Sequence, residues 1–124
     1  MLIAGKLTEQ VIALAIEVHR NIGRGLFESV YELCLCHELH AGGIPFDRQV
    51  ASPVIYKSLT IGEGFKADIV VARQVILEIK TVTTILPVHE VQLLTYLSMS
   101  KIRVGPILNF HAPRMIDGLR RFVV

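Results

Sequence analysis

Charge is costly inside paired β-strands. Yet the stretch FKADIVVARQVILEIKTV, Phe65 to Val82, sets Asp68, Glu78 and Lys80 among Ile69, Val70, Val71, Val75, Ile76, Leu77 and Ile79. Aliphatic, β-branched density of this kind predicts two strands joined by a short turn. Side chains alternate along a strand, so Glu78 and Lys80 share one face and Leu77 and Ile79 the other. The side taken by Asp68 depends on the turn. A three-residue turn at Ala72, Arg73 and Gln74 puts Asp68 across from Glu78, whereas a two-residue turn at Arg73 and Gln74 sends the carboxylates to opposite faces. The three-residue turn is expected, because it gathers the charges and leaves the second face apolar.

Two carboxylates facing each other across a ladder repel unless positive charge lies between them. Lys80 alone can supply it, in which case the group is a charged cluster at a sheet edge. A divalent cation supplies it better, since hard oxygen ligands suit Mg²⁺ or Mn²⁺. Such an ion acidifies water and offsets phosphate charge, and a lysine two residues beyond the glutamate is placed to assist.

The flanking sequence is helical. TEQVIALAIEVHRNIG carries apolar residues at Val11, Leu14, Ala15, Val18 and Ile22, which predicts a helix with Thr8 as N-cap, ended by Gly23 and Gly25. A second helix is expected from about Leu26 to Ala41, stopping at Gly42 and Gly43. Three strands or so then fill the region to Lys80, punctuated by Pro53, Gly62 and Gly64. After Pro87 the pattern returns to helix in VHEVQLLTYLSMSK. ILNF then gives a short strand and RRFVV an edge strand. The order α-α-β-β-β-α-β, with a further β at the end, predicts an α/β protein in which one mixed sheet is covered by helices.

At 124 residues the chain fits one domain, taken as 1–124. No run approaches the roughly 18–20 apolar residues of a membrane-spanning helix. Lys6, Glu9 and Glu17 interrupt the N-terminal apolar stretch, so no signal peptide is expected and the location is read as cytoplasmic. Cys34 and Cys36 lie two apart in a helical pattern, cannot bridge each other, and form no zinc spacing; both are expected as small buried hydrophobes. The hydrophobic fraction is 52% and mean hydropathy is +0.51, apolar enough to suggest that a second copy covers part of the surface. A net charge of +2 is too small for a dedicated nucleic-acid binder. The densest basic stretch is RMIDGLRR with Lys101 and Arg103, which by itself reads as solvated surface. No phosphate-binding glycine loop occurs, and Gly62 to Gly64 read as strand punctuation.

Other polar residues fall on inward stripes. In GLFESVYELCLCHEL, Glu28, Tyr31, Leu35 and Leu39 share one helical face, with Glu32 at its solvated margin. In PVHEVQLLTYL, His89, Gln92 and Tyr96 form a second polar stripe. Each has a plain reading: His89 as a helix-start hydrogen bonder, Gln92 as a surface amide, Tyr96 as a core aromatic with a wet hydroxyl.

GLFESVYE (Gly25 to Glu32) resembles the GxxExxY signature, and ADIVV, VILEIK, PVHEVQLLTYL and VGPILNF resemble the remaining blocks of that family, in order, from about Thr8 to Phe110. The GxxExxY proteins are members of the PD-(D/E)XK nuclease superfamily. The resemblance implies a restriction-endonuclease-like αβββαβ core and hydrolysis of phosphodiester bonds in DNA or RNA. It also implies a Mg²⁺ or Mn²⁺ site held by Glu28, Asp68, Glu78 and the backbone carbonyl of Ile79. Lys80 becomes the catalytic lysine beside Asp68 and Glu78, with Gln92 and Tyr96 next to the site; His89 lies in the block without an assigned role. Ala67 stands where the superfamily has proline, which is not a ligand. The competing expectation is a non-catalytic binding or assembly module that keeps the same fold and residues.

Overall fold

The computed structural model describes residues 4–124. Two helices come first, α1 (Gly5–Ile22) and α2 (Glu28–Ala41), followed by strands β1 (Phe46–Tyr56), β2 (Leu59–Val71) and β3 (Val75–Lys80). Helix α3 (Pro87–Ser100) crosses to β4 (Val104–Asn109), and a 3₁₀ turn at Met115–Gly118 leads into β5 (Leu119–Val123). The five strands form one sheet in the order β1-β2-β3-β4-β5. Every neighbouring pair is antiparallel except β3 with β4, which the α3 crossover makes parallel. This mixed sheet flanked by three helices is consistent with a restriction-endonuclease-like fold.

The helices cover opposite faces. Ile69, Val71, Val75, Leu77 and Ile79 pack with Tyr31, Leu35 and Leu39 of α2 and Val11, Ala15 and Val18 of α1. Val70, Ile76 and Ile107 pack instead on Leu93 and Leu97 of α3. A Cβ at Gly105 would fall 2.9 Å from Leu93 Cδ1 and 3.1 Å from the Ile76 carbonyl, so glycine there lets α3 lie close to the sheet.

The β2–β3 turn has three residues: Val71 pairs with Val75 and Ile69 with Leu77. Ala72 and Arg73 both take left-handed backbone, φ 50° and 56°. Extended by one residue, this register sets Asp68 opposite Glu78, on the face that carries Val70 and Ile76.

Three local expectations change. Helix α1 starts a turn before Thr8, whose Oγ1 donates to the Ala4 carbonyl at 2.8 Å from inside the helix, so Thr8 is not the N-cap. The second helix begins at Glu28, not near Leu26. Pro53, Gly62 and Gly64 lie within strands rather than between them. Pro53 sits where the β1–β2 register shifts between Ser52 and Val54, a bulge that tolerates a residue without an N–H. Across it, a Cβ on Gly64 would come 2.0 Å from Val54 Cγ2 and 2.8 Å from the Val54 nitrogen; glycine is there to let the strands touch.

β2 pairs with β3 only from Ile69 to Val71, while its pairing with β1 continues to Leu59. The outer part is therefore a two-stranded ribbon that runs past the sheet. Ile55, Tyr56, Leu59 and Ile61 stand exposed on it.

Candidate functional site

The ladder between β2 and β3 stops at Ile69 and Leu77, immediately before the acids. Beyond that point the Ile79 N–H donates to Asp68 Oδ2 at 2.8 Å, so the Asp68 side chain takes over a strand hydrogen bond. This contact fixes the carboxylate at the place where the strands part. Burial pushes the Asp68 carboxyl above its ordinary range; the Ile79 N–H opposes that shift, the negative charge of Glu32 adds to it, and Lys80 opposes it.

Glu78 is buried, 8% exposed, in the middle of the sheet. Its Oε1 has no hydrogen-bond partner. A buried carboxylate oxygen left unpaired is expensive, and the carboxyl responds by holding its proton. Burial first, and then the charge of Asp68, push it from 4.5 to about 8, while Lys80 pulls the other way. Lys80, two residues along the same strand and on the same face, is half-buried. Tyr96 of α3 closes this side. Its ring stacks on Phe65 with centroids 4.6 Å apart, and burial, then Glu78, then Asp68 raise its hydroxyl above the usual phenol value. Asp68, Glu78, Lys80 and Tyr96 are thus brought into one electrostatic neighbourhood.

The remaining expected residues lie further out. Glu28, exposed at the start of α2, accepts the Thr81 N–H on Oε2 at 3.1 Å, one residue beyond Lys80. Its charge is the weakest of the named influences on both Asp68 and Glu78. Among the described residues no three His, Cys, Asp or Glu side chains stand at metal-holding spacing. Glu28 is at the rim of the pair, not within it. Gln92 is exposed on α3, one turn before Tyr96. His89 Nδ1 accepts the Leu86 N–H at 3.0 Å, the helix-start role. Cys36 is buried and Cys34 only partly so.

The orphaned Oε1 of Glu78 tests whether these groups fit a divalent cation. A closed structural cluster would have hydrogen-bonded that oxygen. An unpaired buried carboxylate oxygen beside a second carboxylate is hard-donor chemistry and fits Mg²⁺ or Mn²⁺.

Several supporting contacts are not visible in the sequence pattern. Glu32 is not a solvated margin but 4% exposed; it accepts Arg48 Nε and Gln49 Nε2, each at 2.6 Å, tying α2 to β1. Gln49 reaches it from a left-handed backbone, φ 50°. The Tyr31 hydroxyl donates to the Gly23 carbonyl at 2.7 Å and accepts the Leu26 N–H at 3.2 Å, stapling the α1–α2 loop, while its ring stacks on Phe110 at 4.5 Å. Asn109 is 6% exposed and binds Val82 at both backbone groups, N–H to Oδ1 at 3.1 Å and Nδ2 to the carbonyl at 2.8 Å. It pins the segment that leaves Lys80. An Asn on a short apolar strand gave little warning of this; the GxxExxY spacing did mark Glu28 and Tyr31.

No helix among the described residues is long and apolar enough to cross a membrane. No curated protein and no solved structure matches the chain. The family model of the PD-(D/E)XK nuclease superfamily matches residues 5–122, spanning α1 to β5 and therefore Asp68 with the Glu78-x-Lys80 strand. On that match, over nearly the whole length, the chain belongs to the PD-(D/E)XK nuclease superfamily.

Proposed function

We propose that the chain is a divalent-cation-dependent nuclease of the GxxExxY type, acting as one domain on phosphodiester bonds of DNA or RNA in the cytoplasm. Family membership points to nuclease activity with nucleic acid as substrate. The observation that carries the finer reading is the buried, unpartnered Glu78 Oε1 beside Asp68, on the strand that also presents Lys80.

In this reading Asp68, Glu78, the Ile79 carbonyl and, from the rim, Glu28 would hold Mg²⁺ or Mn²⁺. The bound cation supplies Lewis acidity toward water and a phosphate oxygen. The protein's own part is positioning and charge. The Ile79 N–H keeps Asp68 oriented. Lys80 offers a positive donor to the phosphate oxygens as negative charge grows on them, and it helps align the attacking water. The water oxygen bonds to phosphorus and releases a proton to solvent, the bond from phosphorus to the leaving sugar oxygen breaks, and that oxygen takes up a proton from solvent. Tyr96 and Gln92 line the α3 side, Tyr96 with a hydroxyl that stays protonated.

The exposed apolar residues of the β1–β2 ribbon support a homodimer in which a second copy covers Ile55, Tyr56, Leu59 and Ile61. A monomer mass in light scattering, at concentrations where activity is measured, removes that part.

The test is incubation of labelled single- and double-stranded DNA and RNA with the protein in Mg²⁺, Mn²⁺ or EDTA, alongside Lys80→Ala. Cation-dependent cleavage by the wild type and none by the variant supports the proposal. Cation binding without cleavage of any of the four substrates is the result for a non-catalytic module.

A further inference from the structure

Beyond the end of the β3–β4 pair lies a pocket of about 340 Å³, with both polar and apolar lining, that the reaction above does not use. Thr83, Thr84, Arg24, His111, Asp117 and Arg120 are among the residues that line it. It begins three residues past Lys80, on the segment whose backbone Asn109 pins.

The charges of the pocket do not cancel. Asp117 is engaged by Arg114 through Nε at 3.0 Å and Nη2 at 3.1 Å. Arg120 Nη1 donates to Glu90 Oε1 at 2.6 Å. Arg24 has no carboxylate partner among the described residues; its Nη2 lies 3.3 Å from His111 Nε2, and since a guanidinium cannot accept, the imidazole nitrogen does. Arg24 therefore brings the pocket a guanidinium charge with no carboxylate partner, and Thr83 and Thr84 bring two hydroxyls.

The backbone around Arg24 is held in place at its neighbours. Arg24 sits between Gly23 and Gly25, both with left-handed backbone at φ 69° and 96°. Tyr31 staples that loop by its hydroxyl and stacks on Phe110, whose N–H donates to the Lys80 carbonyl at 2.9 Å. A chain of contacts thus runs from Gly23, the neighbour of Arg24, to the strand bearing Lys80.

We propose that this pocket is a subsite for a backbone phosphate of the nucleic-acid substrate, with Arg24 as its principal cation and Thr83, Thr84 and Arg120 as further donors. It holds a phosphate beside the scissile one and so sets the register of the strand over Lys80. The inference rests on the nuclease reading for the identity of the ligand, and it deepens that reading by assigning a residue to substrate positioning.

The test is binding, not cleavage. Fluorescein-labelled DNA and RNA oligonucleotides, each single-stranded and duplex, are titrated in EDTA at a series of salt concentrations with wild type, Arg24→Gln, Arg24→Lys and Arg73→Gln. Arg73 lies in the β2–β3 turn at the opposite end of β3 and controls for loss of one charge. Arg24→Gln is expected to weaken binding on the order of three- to tenfold and to lower the slope of log affinity against log salt by about 0.9 on duplex or about 0.7 on single strands. Arg24→Lys restores most of both, and Arg73→Gln changes neither. The subsite is overturned if Arg24→Gln keeps the wild-type slope and affinity, or if Arg73→Gln reproduces its effect. Absence of any binding by the wild type overturns subsite and nuclease reading together. The expected slope change with no cleavage in Mg²⁺ or Mn²⁺ leaves the subsite standing and removes the nuclease.

Discussion

Replacing Glu78 by glutamine separates the electrostatic cost of the site from its packing. The carboxyl is buried, one oxygen is unpartnered, and its pKa rises from 4.5 to about 8 on folding. Below pH 4.5 both folded and unfolded chains carry the proton, and the group costs nothing extra. Between 4.5 and about 8 the folded chain keeps a proton that the unfolded chain has lost, so stability falls as pH rises. Above about 8 the full penalty is present. Each unit is worth about 1.4 kcal/mol, so the wild type should lose about 3–5 kcal/mol across this window through Glu78 alone. Glutamine has nearly the same shape and no charge to bury. Thermal unfolding in EDTA, followed by circular dichroism from acid to alkaline pH, should show Glu78→Gln gaining steadily on wild type. At about 2–5 °C per kcal/mol the gap reaches about 10–15 °C above pH 8. Parallel pH profiles for the two proteins would refute the reasoning, because the cost would then not be titrating.

Other substitutions probe the supports of the site. Gly64→Ala should destabilise by about 2–3 kcal/mol in urea unfolding, since its Cβ meets Val54 at 2.0 Å, while Gly62→Ala, with nothing within 4 Å, should change little. Tyr31→Phe keeps the stack on Phe110 but loses both hydroxyl bonds to the α1–α2 loop, a loss of about 1–2 kcal/mol by the same assay. Cys36, pushed up to about 11 by burial and then by Glu32, should resist iodoacetamide at mildly alkaline pH while the partly exposed Cys34 reacts. Glu32→Gln should lower the Cys36 value and speed its alkylation.

The strands around the acids were legible because two-residue alternation and turn length together determine which side chains share a face. The Val71–Val75 turn then placed Asp68 and Glu78 as the spacing predicted. Local signals failed where tertiary contact outweighed them. Thr8 has an N-cap composition, but the helix gains a turn before it and the hydroxyl bonds back to Ala4. Gly62 and Gly64 look like strand breaks; Gly64 instead serves a close strand approach that only the partner Val54 explains. Glu32 lies at the edge of a helical stripe, and its burial depends on Arg48 and Gln49, a strand away in sequence. The same holds at the site. Pattern marked Asp68, Glu78 and Lys80, and the family resemblance added Tyr96, but neither foresaw that Glu28 bonds to Thr81 or that Asn109 pins Val82. Those roles are set by contacts between residues far apart in the chain.

The proposed nuclease depends on Asp68 and Glu78 forming a cation site. Calorimetric titration of Mn²⁺ into the protein, buffered just above the Glu78 titration near pH 8, tests it most directly. Asp68→Ala and Glu78→Ala, verified as folded by circular dichroism, serve as comparisons. One saturable Mn²⁺ event is expected in the wild type, weakened as the pH is lowered and Glu78 takes up its proton, and lost in both variants. A wild type that binds no Mn²⁺, or variants that bind it as tightly as wild type, would contradict it.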